Sequence, residues 1–175
     1  KQGKVFLHKA IINKGSLKVG DKVNVSVSSS KRHATAIHHS ATHLLHSALK
    51  IVLGDHVQQK GSQVDSEKLR FDFAHPKPVS PEELSKIEAL VNDQVLHNSK
   101  VDTNEMDLQE AIDSGAEALF GEKYDSKVRV LAMGKDSFSV ELCGGTHVNR
   151  TGDIGSLVIT SQSSVASGIR RIEAI

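Results

Sequence analysis

The sequence predicts an α+β protein: a mixed or antiparallel sheet with helices packed against it, preceded by part of a small β-barrel. Three observations carry this. Two segments, about 35–53 and 81–98, repeat apolar residues at helical spacing. Several short runs of alternating or β-branched residues, bounded by Gly, Pro and Ser, read as strands. Helix and strand patterns do not alternate regularly, as a doubly wound parallel sheet would require.

The elements follow in chain order. Val5-Phe6-Leu7, Ala10-Ile11-Ile12 and Lys22 to Val27 are strand-like, with turns at Lys14-Gly15-Ser16 and Val19-Gly20-Asp21. Three strands are too few to close a barrel, so residues 1–30 are expected to be the C-terminal part of one. Ser28-Ser29-Ser30 then reads as a linker to a second domain, 31–175. A helix is expected from about Thr35 to Leu53, stopped by Gly54, with Ile37, Ala41, Leu44, Leu45, Ala48 and Val52 in phase. His56 to Val64 and Lys68 to Ala74 read as paired strands. Pro76, Pro78 and Pro81 break the chain. Ser80 with Glu83 forms a capping box that opens a helix to about Asn98. A strand at Val101–Met106 and a short helix from Asp107 to Ser114, extending toward Leu119, come next. A hairpin turns around Gly134-Lys135-Asp136, and the last strands are Ile154 to Ser161 and Gly168 to Ala174.

Composition narrows the class. At 175 residues the chain suffices for one packed domain with a small appendage. Hydrophobic residues at 38% and charged residues at 25% are ordinary for a soluble globular protein. No apolar run approaches the ~20 residues of a membrane helix, so no membrane partner is expected. The first residues carry neither an apolar h-region nor a cleavage site, and with Lys1 in place of a start Met the chain reads as an excised fragment. The single cysteine excludes an intrachain disulfide and fits a reducing, cytoplasmic setting. A net charge of +1 is too balanced for nonspecific coating of nucleic acid. With no Trp and one Tyr, a platform stacking several bases is not expected.

Ten histidines are the unusual feature. His39 and His43 stand four apart within the first predicted helix, on one face, so both imidazoles can reach one ion. Cys143 and His147 show the same spacing around Gly144-Gly145-Thr146, where two glycines favour a tight loop over a helix. Three nitrogens and one sulfur suit zinc. Each half alone has a bland explanation, an incidental histidine pair or a small buried cysteine. It is their combination that argues for a site. A zincin is excluded because Ser40-Ala41-Thr42 supplies no Glu between the histidines. A cysteine protease would need the thiolate exposed beside one imidazole, which the spacing does not favour. His46 lies near the face of His43, as an outer-sphere group, a spare ligand or, more plainly, a solvent-facing or capped histidine. His38 is given the same plain reading. His8, His33, His56, His75 and His97 lack ligand spacing and read as surface or hydrogen-bonded residues.

The runs His39-Ser40-Ala41-Thr42-His43-Leu44-Leu45-His46 and Glu141-Leu142-Cys143-Gly144-Gly145-Thr146-His147 resemble the editing domain of alanyl-tRNA synthetase. The resemblance continues through Gln59-Lys60-Gly61-Ser62, Leu69-Arg70-Phe71-Asp72-Phe73, Ala118 to Tyr124, Arg150 to Gly155 and Gly168 to Ala174, nearly the whole chain. Related editing domains occur in threonyl-tRNA synthetase and in free-standing alanyl editing proteins. The resemblance implies that residues 31–175 deacylate tRNA(Ala) mischarged with serine or glycine, using Zn2+ held by His39, His43, Cys143 and His147. It implies catalytic roles for His39, His43, Cys143 and Gln59. It implies substrate contacts from Thr42, Gln59, Gly144, Gly145, Thr146, Arg70, Arg170 and Arg171, with Lys60 a weaker candidate. The implied partners are the acceptor end of tRNA(Ala) and the remaining domains of a synthetase. No P-loop is visible, so aminoacylation and ATP binding are expected to lie outside this segment. Four protein ligands would fill a tetrahedral site, which is normally structural. At the level of sequence three solutions stay open: one loose ligand, expansion to five-coordinate, or a metal that mainly positions substrate.

Overall fold

Ser28 opens the first helix rather than ending a linker. Its hydroxyl accepts from the Lys31 amide, and α1 runs over Ser29–Leu53, in a computed structural model that describes residues 2–3, 5–118 and 124–175. The sequence places this start near Thr35, because residues 29–33 are exposed all round and carry no apolar period. Only the cap marks the boundary there. Gly54, at φ 113°, ends the helix and returns its amide to the Lys50 carbonyl. Every residue from Ser40 to His46 is buried, as expected of a helix enclosed by other layers rather than lying on a surface.

Those layers are two antiparallel sheets and a second helix. The larger sheet has the order β1-β2-β7-β6, from β1 (Gln59–Val64), β2 (Leu69–Ala74), β6 (Ile159–Ala166) and β7 (Ile169–Ala174). Leu69, Phe71 and Phe73 on β2 align with Ala174, Ile172 and Arg170 on β7. The pleat sends the first three into the main core with Leu44, Leu45 and Leu49 of α1. Each such fully buried side chain contributes about 1.5–3 kcal/mol. The opposite face of the same strands carries Arg70, Asp72 and Arg171. The second helix, α2 (Pro81–Leu96), begins with the expected capping box between Ser80 and Glu83, and buries Ile87, Val91 and Val95 against α1.

The smaller sheet, β3-β4-β5, comprises β3 (Asp102–Asp107), β4 (Lys127–Met133) and β5 (Ser139–Leu142). One face, with Leu131 and Met133, joins the main core. The other, with Val128, Val130 and Leu142, closes a small second core with Ala111 of α3 (Leu108–Asp113). Register places Glu141 opposite Leu131, and therefore on the α1 side of this sheet.

Several expectations change. The strands expected at 5–7, 10–12 and 22–27 do not form. Residues 5–27 are exposed, and the one pairing described there is the isolated bridge Gln2–Val5. A strand needs a neighbour for its backbone donors and acceptors, and the described residues offer these segments none. β1 begins at Gln59, not His56. α3 stops at Asp113, because Gly115 at φ 86° reverses the chain. Its expected extension toward Leu119 does not form over residues 114–118, and residues 119–123 of the Ala118–Tyr124 run lie outside the described residues. Residues Thr151–Ile154 form a 3-10 turn, so β6 starts at Ile159 rather than Ile154. No described helix is long and apolar enough to cross a membrane.

Candidate metal centre

His39 and His43 come from α1, and Cys143 and His147 from the loop after β5. Their ligand atoms all lie within 4.8 Å of one another. The Cys143 sulfur is 3.3 Å from Nε2 of His147 and 3.6 Å from Nε2 of His39. Zinc bonds of ~2.0–2.1 Å to nitrogen and ~2.3 Å to sulfur give a tetrahedron with N–S edges of about 3.6 Å. The Nε2 of His43 is buried and hydrogen-bonded to nothing, although a buried ring nitrogen ordinarily finds a partner. The donor set thus fits a divalent cation of the zinc type.

Each imidazole is held from behind through Nδ1. His43 Nδ1 donates to Glu141 Oε2 at 2.8 Å, His39 Nδ1 to the Thr146 carbonyl at 3.3 Å, and His147 Nδ1 shares a hydrogen bond with Ser40 Oγ at 3.2 Å. With each Nδ1 engaged from outside, the three Nε2 atoms face inward, the arrangement metal-ligating imidazoles adopt. Ser40 also accepts from the Val148 amide at 3.1 Å, so one buried hydroxyl both orients a ligand and pins its loop. The loop is fixed elsewhere too. The Cys143 amide donates to the Arg129 carbonyl at 3.0 Å, and the Arg129 guanidinium donates to the Gly145 carbonyl. The Thr151 hydroxyl donates to the Gln94 carbonyl at 2.8 Å.

Gly145 is required by space. A Cβ there would stand 2.2 Å from His39 Cε1, so no other residue lets the loop lie against that ring. At Gly144 a Cβ would meet nothing within 4 Å.

The electrostatics match. Burial alone would raise the Cys143 thiol, but hydrogen bonds from His147 and His39 and the neighbouring His43 outweigh it and hold the thiol down at about 3. Burial would lower His43, yet the Glu141 carboxylate and the Cys143 sulfur push it up to about 10. Burial would raise Glu141, while His43 and His46 bring it down to about 2. Burial lowers His147. A ready thiolate among imidazoles is the state in which such residues bind metal.

Other residues singled out from sequence fall in different places. The Thr42 hydroxyl is buried and donates to its own His38 carbonyl at 2.8 Å. Gln59 sits half-buried on β1 opposite Phe73. Thr146 serves the site through its carbonyl. Arg70 and Arg171 share the outer sheet face with Asp72, and Arg171 grips that carboxylate through Nε and Nη2 at 2.7 and 2.8 Å. Arg170, one residue earlier, points to the opposite face and bonds Gln162 at 3.4 Å. His46 is not solvent-facing. It is 2% exposed, with Nδ1 3.2 Å from Glu141 Oε1. His38 bonds the Asp65 carbonyl, and His56 bonds His75 at 2.9 Å, in keeping with plain roles. Sequence reading missed Ser40, Arg129 and Glu141. Glu141 carried a usable signal: it lies two residues before Cys143 on a strand, hence on the same face.

The comparisons meet this geometry in two steps. Residues 128–173, which contain Cys143 and His147, match the family model described as threonyl and alanyl tRNA synthetase second additional domain. The matched segment carries the loop half of the site. Over its full length the chain is also 58% identical to an alanine–tRNA ligase of Pseudomonas fluorescens, covering 100% of this chain and 20% of that protein. It is 60% identical to that of Saccharophagus degradans and 56% to that of Parvibaculum lavamentivorans, again over 100% of this chain and 20% of each relative. The chain is thus similar along its whole length to a segment of alanine–tRNA ligases, and it spans about a fifth of the length of the curated relatives it matches.

Proposed function

We propose that this chain hydrolyses the ester of mischarged tRNA(Ala), releasing serine or glycine, as the proofreading activity of an alanine–tRNA ligase. The observation that carries the reading is the convergence of His39, His43, Cys143 and His147 in a chain matched along its whole length by such ligases. We take the metal to be Zn2+, in keeping with three imidazoles and a thiolate. When bound, it supplies a Lewis acid that polarises the ester carbonyl or activates water.

The chain's own residues do the rest. Gly144 and Gly145 present backbone amides beside the ligands, where they meet the ester or the terminal ribose. Thr42 already gives its proton to the His38 carbonyl, which leaves its oxygen lone pairs to accept from a serine hydroxyl. Gln59 is the second candidate for that bond. A site built to bond a substrate hydroxyl discriminates far better than an apolar pocket. Arg70, Arg170 and Arg171 are candidates for backbone phosphates, but they lie on two faces of the sheet, so they cannot all meet the same strand. Residues 31–175, with the two residues that begin α1 before them, form the deacylase, and the segment preceding Ser28 would join a barrel only with strands supplied by the rest of the ligase. The acceptor end of tRNA(Ala) is the partner, and the cytoplasm the compartment.

A second reading has a specific support. All four ligands come from the protein, the usual mark of a structural metal, so the metal would only fasten the 143–151 loop to α1 in a non-catalytic RNA-binding or protein-contact module. Deacylation decides between them. Seryl-tRNA(Ala) is expected to lose serine with this chain while alanyl-tRNA(Ala) survives. No hydrolysis of seryl-tRNA by metal-loaded protein leaves the structural reading.

A further inference from the structure

One carboxylate behind the metal centre has no surface role. Glu141 is 4% exposed and lies on the α1 face of β5. Its two oxygens are divided. Oε2 takes the Nδ1–H of His43 at 2.8 Å, and Oε1 takes Nδ1 of His46 at 3.2 Å and the Ser139 hydroxyl at 3.3 Å. His46 is packed against Phe71, with ring centroids 5.2 Å apart. Its Nε2 lies 3.7 Å from Glu117, which is itself salt-bridged to Lys50 at 2.9 Å. His43 and His46 are three residues apart on one helix, so a single carboxylate from the sheet clamps two successive positions of α1.

We infer that Glu141, held by His46 and Ser139, is a positioning residue that fixes His43 as an Nε2 metal ligand and completes the charge balance of the centre. This rests on the metal reading of the four-ligand group. The first half follows from geometry. An imidazole has two tautomers; an acceptor on Nδ1 favours the one with the inward Nε2 lone pair, and a charged carboxylate favours it more strongly than a neutral group. His39 and His147 are held by neutral groups, a carbonyl and a hydroxyl, so His43 alone among the ligands has a charged partner. The second half follows from arithmetic on the donor set. A dication with one thiolate and three neutral imidazoles leaves an uncompensated positive charge beside His43, the one buried ligand, where it is costly. One further carboxylate neutralises it. Glu141 is the carboxylate bonded directly to a ligand, and the same count disfavours a monovalent ion.

The test uses metal affinity, not activity. Zn2+ affinity is measured by competition with a chelating indicator for wild type, Glu141→Gln, Glu141→Ala and Cys143→Ala, and the Co2+-loaded absorption spectrum is recorded for each. Loss of an outer-sphere carboxylate typically lowers metal affinity about 10- to 100-fold. Glu141→Ala is expected near the upper end. Glu141→Gln keeps an oxygen that can accept from His43 but lacks the charge, so it is expected to retain part of the affinity, with a cobalt spectrum closer to wild type. A merely structural Glu141 would lower thermal stability in both variants and leave affinity and spectrum unmoved. Wild-type affinity in Glu141→Gln, with binding lost in Cys143→Ala, overturns this inference and leaves the metal reading standing. The Gln variant decides alone if the Ala variant does not fold. Absence of Zn2+ binding by wild-type protein overturns both.

Discussion

Two polar clusters in this molecule have opposite logic. On the outer face of the larger sheet, Asp72 is gripped by Arg171 and approached at 3.7 Å by Arg70, and Lys68 meets Glu173. Those charges pair with one another. At the metal centre every Nδ1 is occupied, while three Nε2 atoms and a thiolate face one another, and the Nε2 of His43 has no hydrogen bond. A cluster whose charges pair with one another holds a fold together, even where one donor, Arg70 Nε, makes no hydrogen bond. A cluster whose donors are oriented by outside partners and converge on a common centre is prepared for a ligand.

The harshest way to break the contrast is to remove the loop half of the centre. A Cys143→Ala, His147→Ala double variant should fall from about one zinc per chain to none by elemental analysis, with deacylation at the uncatalysed background. Unchanged zinc content means the metal sits elsewhere.

A gentler probe separates two neighbouring glycines. Gly145→Ala would drive a methyl into His39, and a drop in zinc affinity of about tenfold or more is expected, as for lost outer-sphere support. Gly144→Ala enters open space and should bind zinc like wild type. Equal behaviour of the two would show that the loop is not held against the ring.

pH sharpens the comparison further. In the metal-free protein His43 is raised to about 10 and Cys143 lowered to about 3. The raised His43 stabilises the fold fully below its ordinary value near 6.5, and this is lost as pH climbs through about 10. The lowered Cys143 stabilises most above its ordinary value of 9.0, and that contribution declines as pH falls toward 3. The His43–Cys143 contact contributes to both shifts, so they are not summed. For metal binding the consequence is that the thiolate is already bare near pH 8 whereas His43 must lose a proton. Zinc binding should release about one proton there, and affinity should rise with pH until His43 is neutral. Calorimetry in buffers of different ionisation enthalpy measures the proton count. Zero release would contradict a protonated His43.

The outer cluster should answer differently. Asp72→Asn is expected to lower Tm, on the order of 5 °C for a domain of this size, with zinc content unchanged. Coupled loss of zinc would erase the distinction between the clusters.

The smallest effect concerns RNA. Each phosphate contact to single-stranded RNA adds about 0.7 to the slope of log affinity against log salt. Three or four local contacts give a slope of about 2 to 3, and Arg170→Ala should reduce it by roughly 0.7 if that residue engages phosphate. Because Arg171 is committed to Asp72, Arg171→Ala is expected to change stability more than slope.

The sequence by itself determined the parts of this protein that are local or periodic. Helical spacing placed His39 and His43 on one face, Ser80 with Glu83 set the start of α2, and Cys143 and His147 stood out by number and spacing. Tertiary structure decided the rest. It brought Cys143 to His39 across a separation of 104 residues, and it put Glu141 and Ser40 behind the ligands. It turned His46 inward, though nothing in its own segment distinguishes it from a solvent-facing histidine. It also left residues 5–27 without strands, although their alternation reads as β. The physical reason is the same in each case. Spacing along one helix or strand is set by backbone geometry within that element. Which side chain meets a partner from another element, and whether a strand finds an edge, depends on packing between distant segments, which local pattern does not encode.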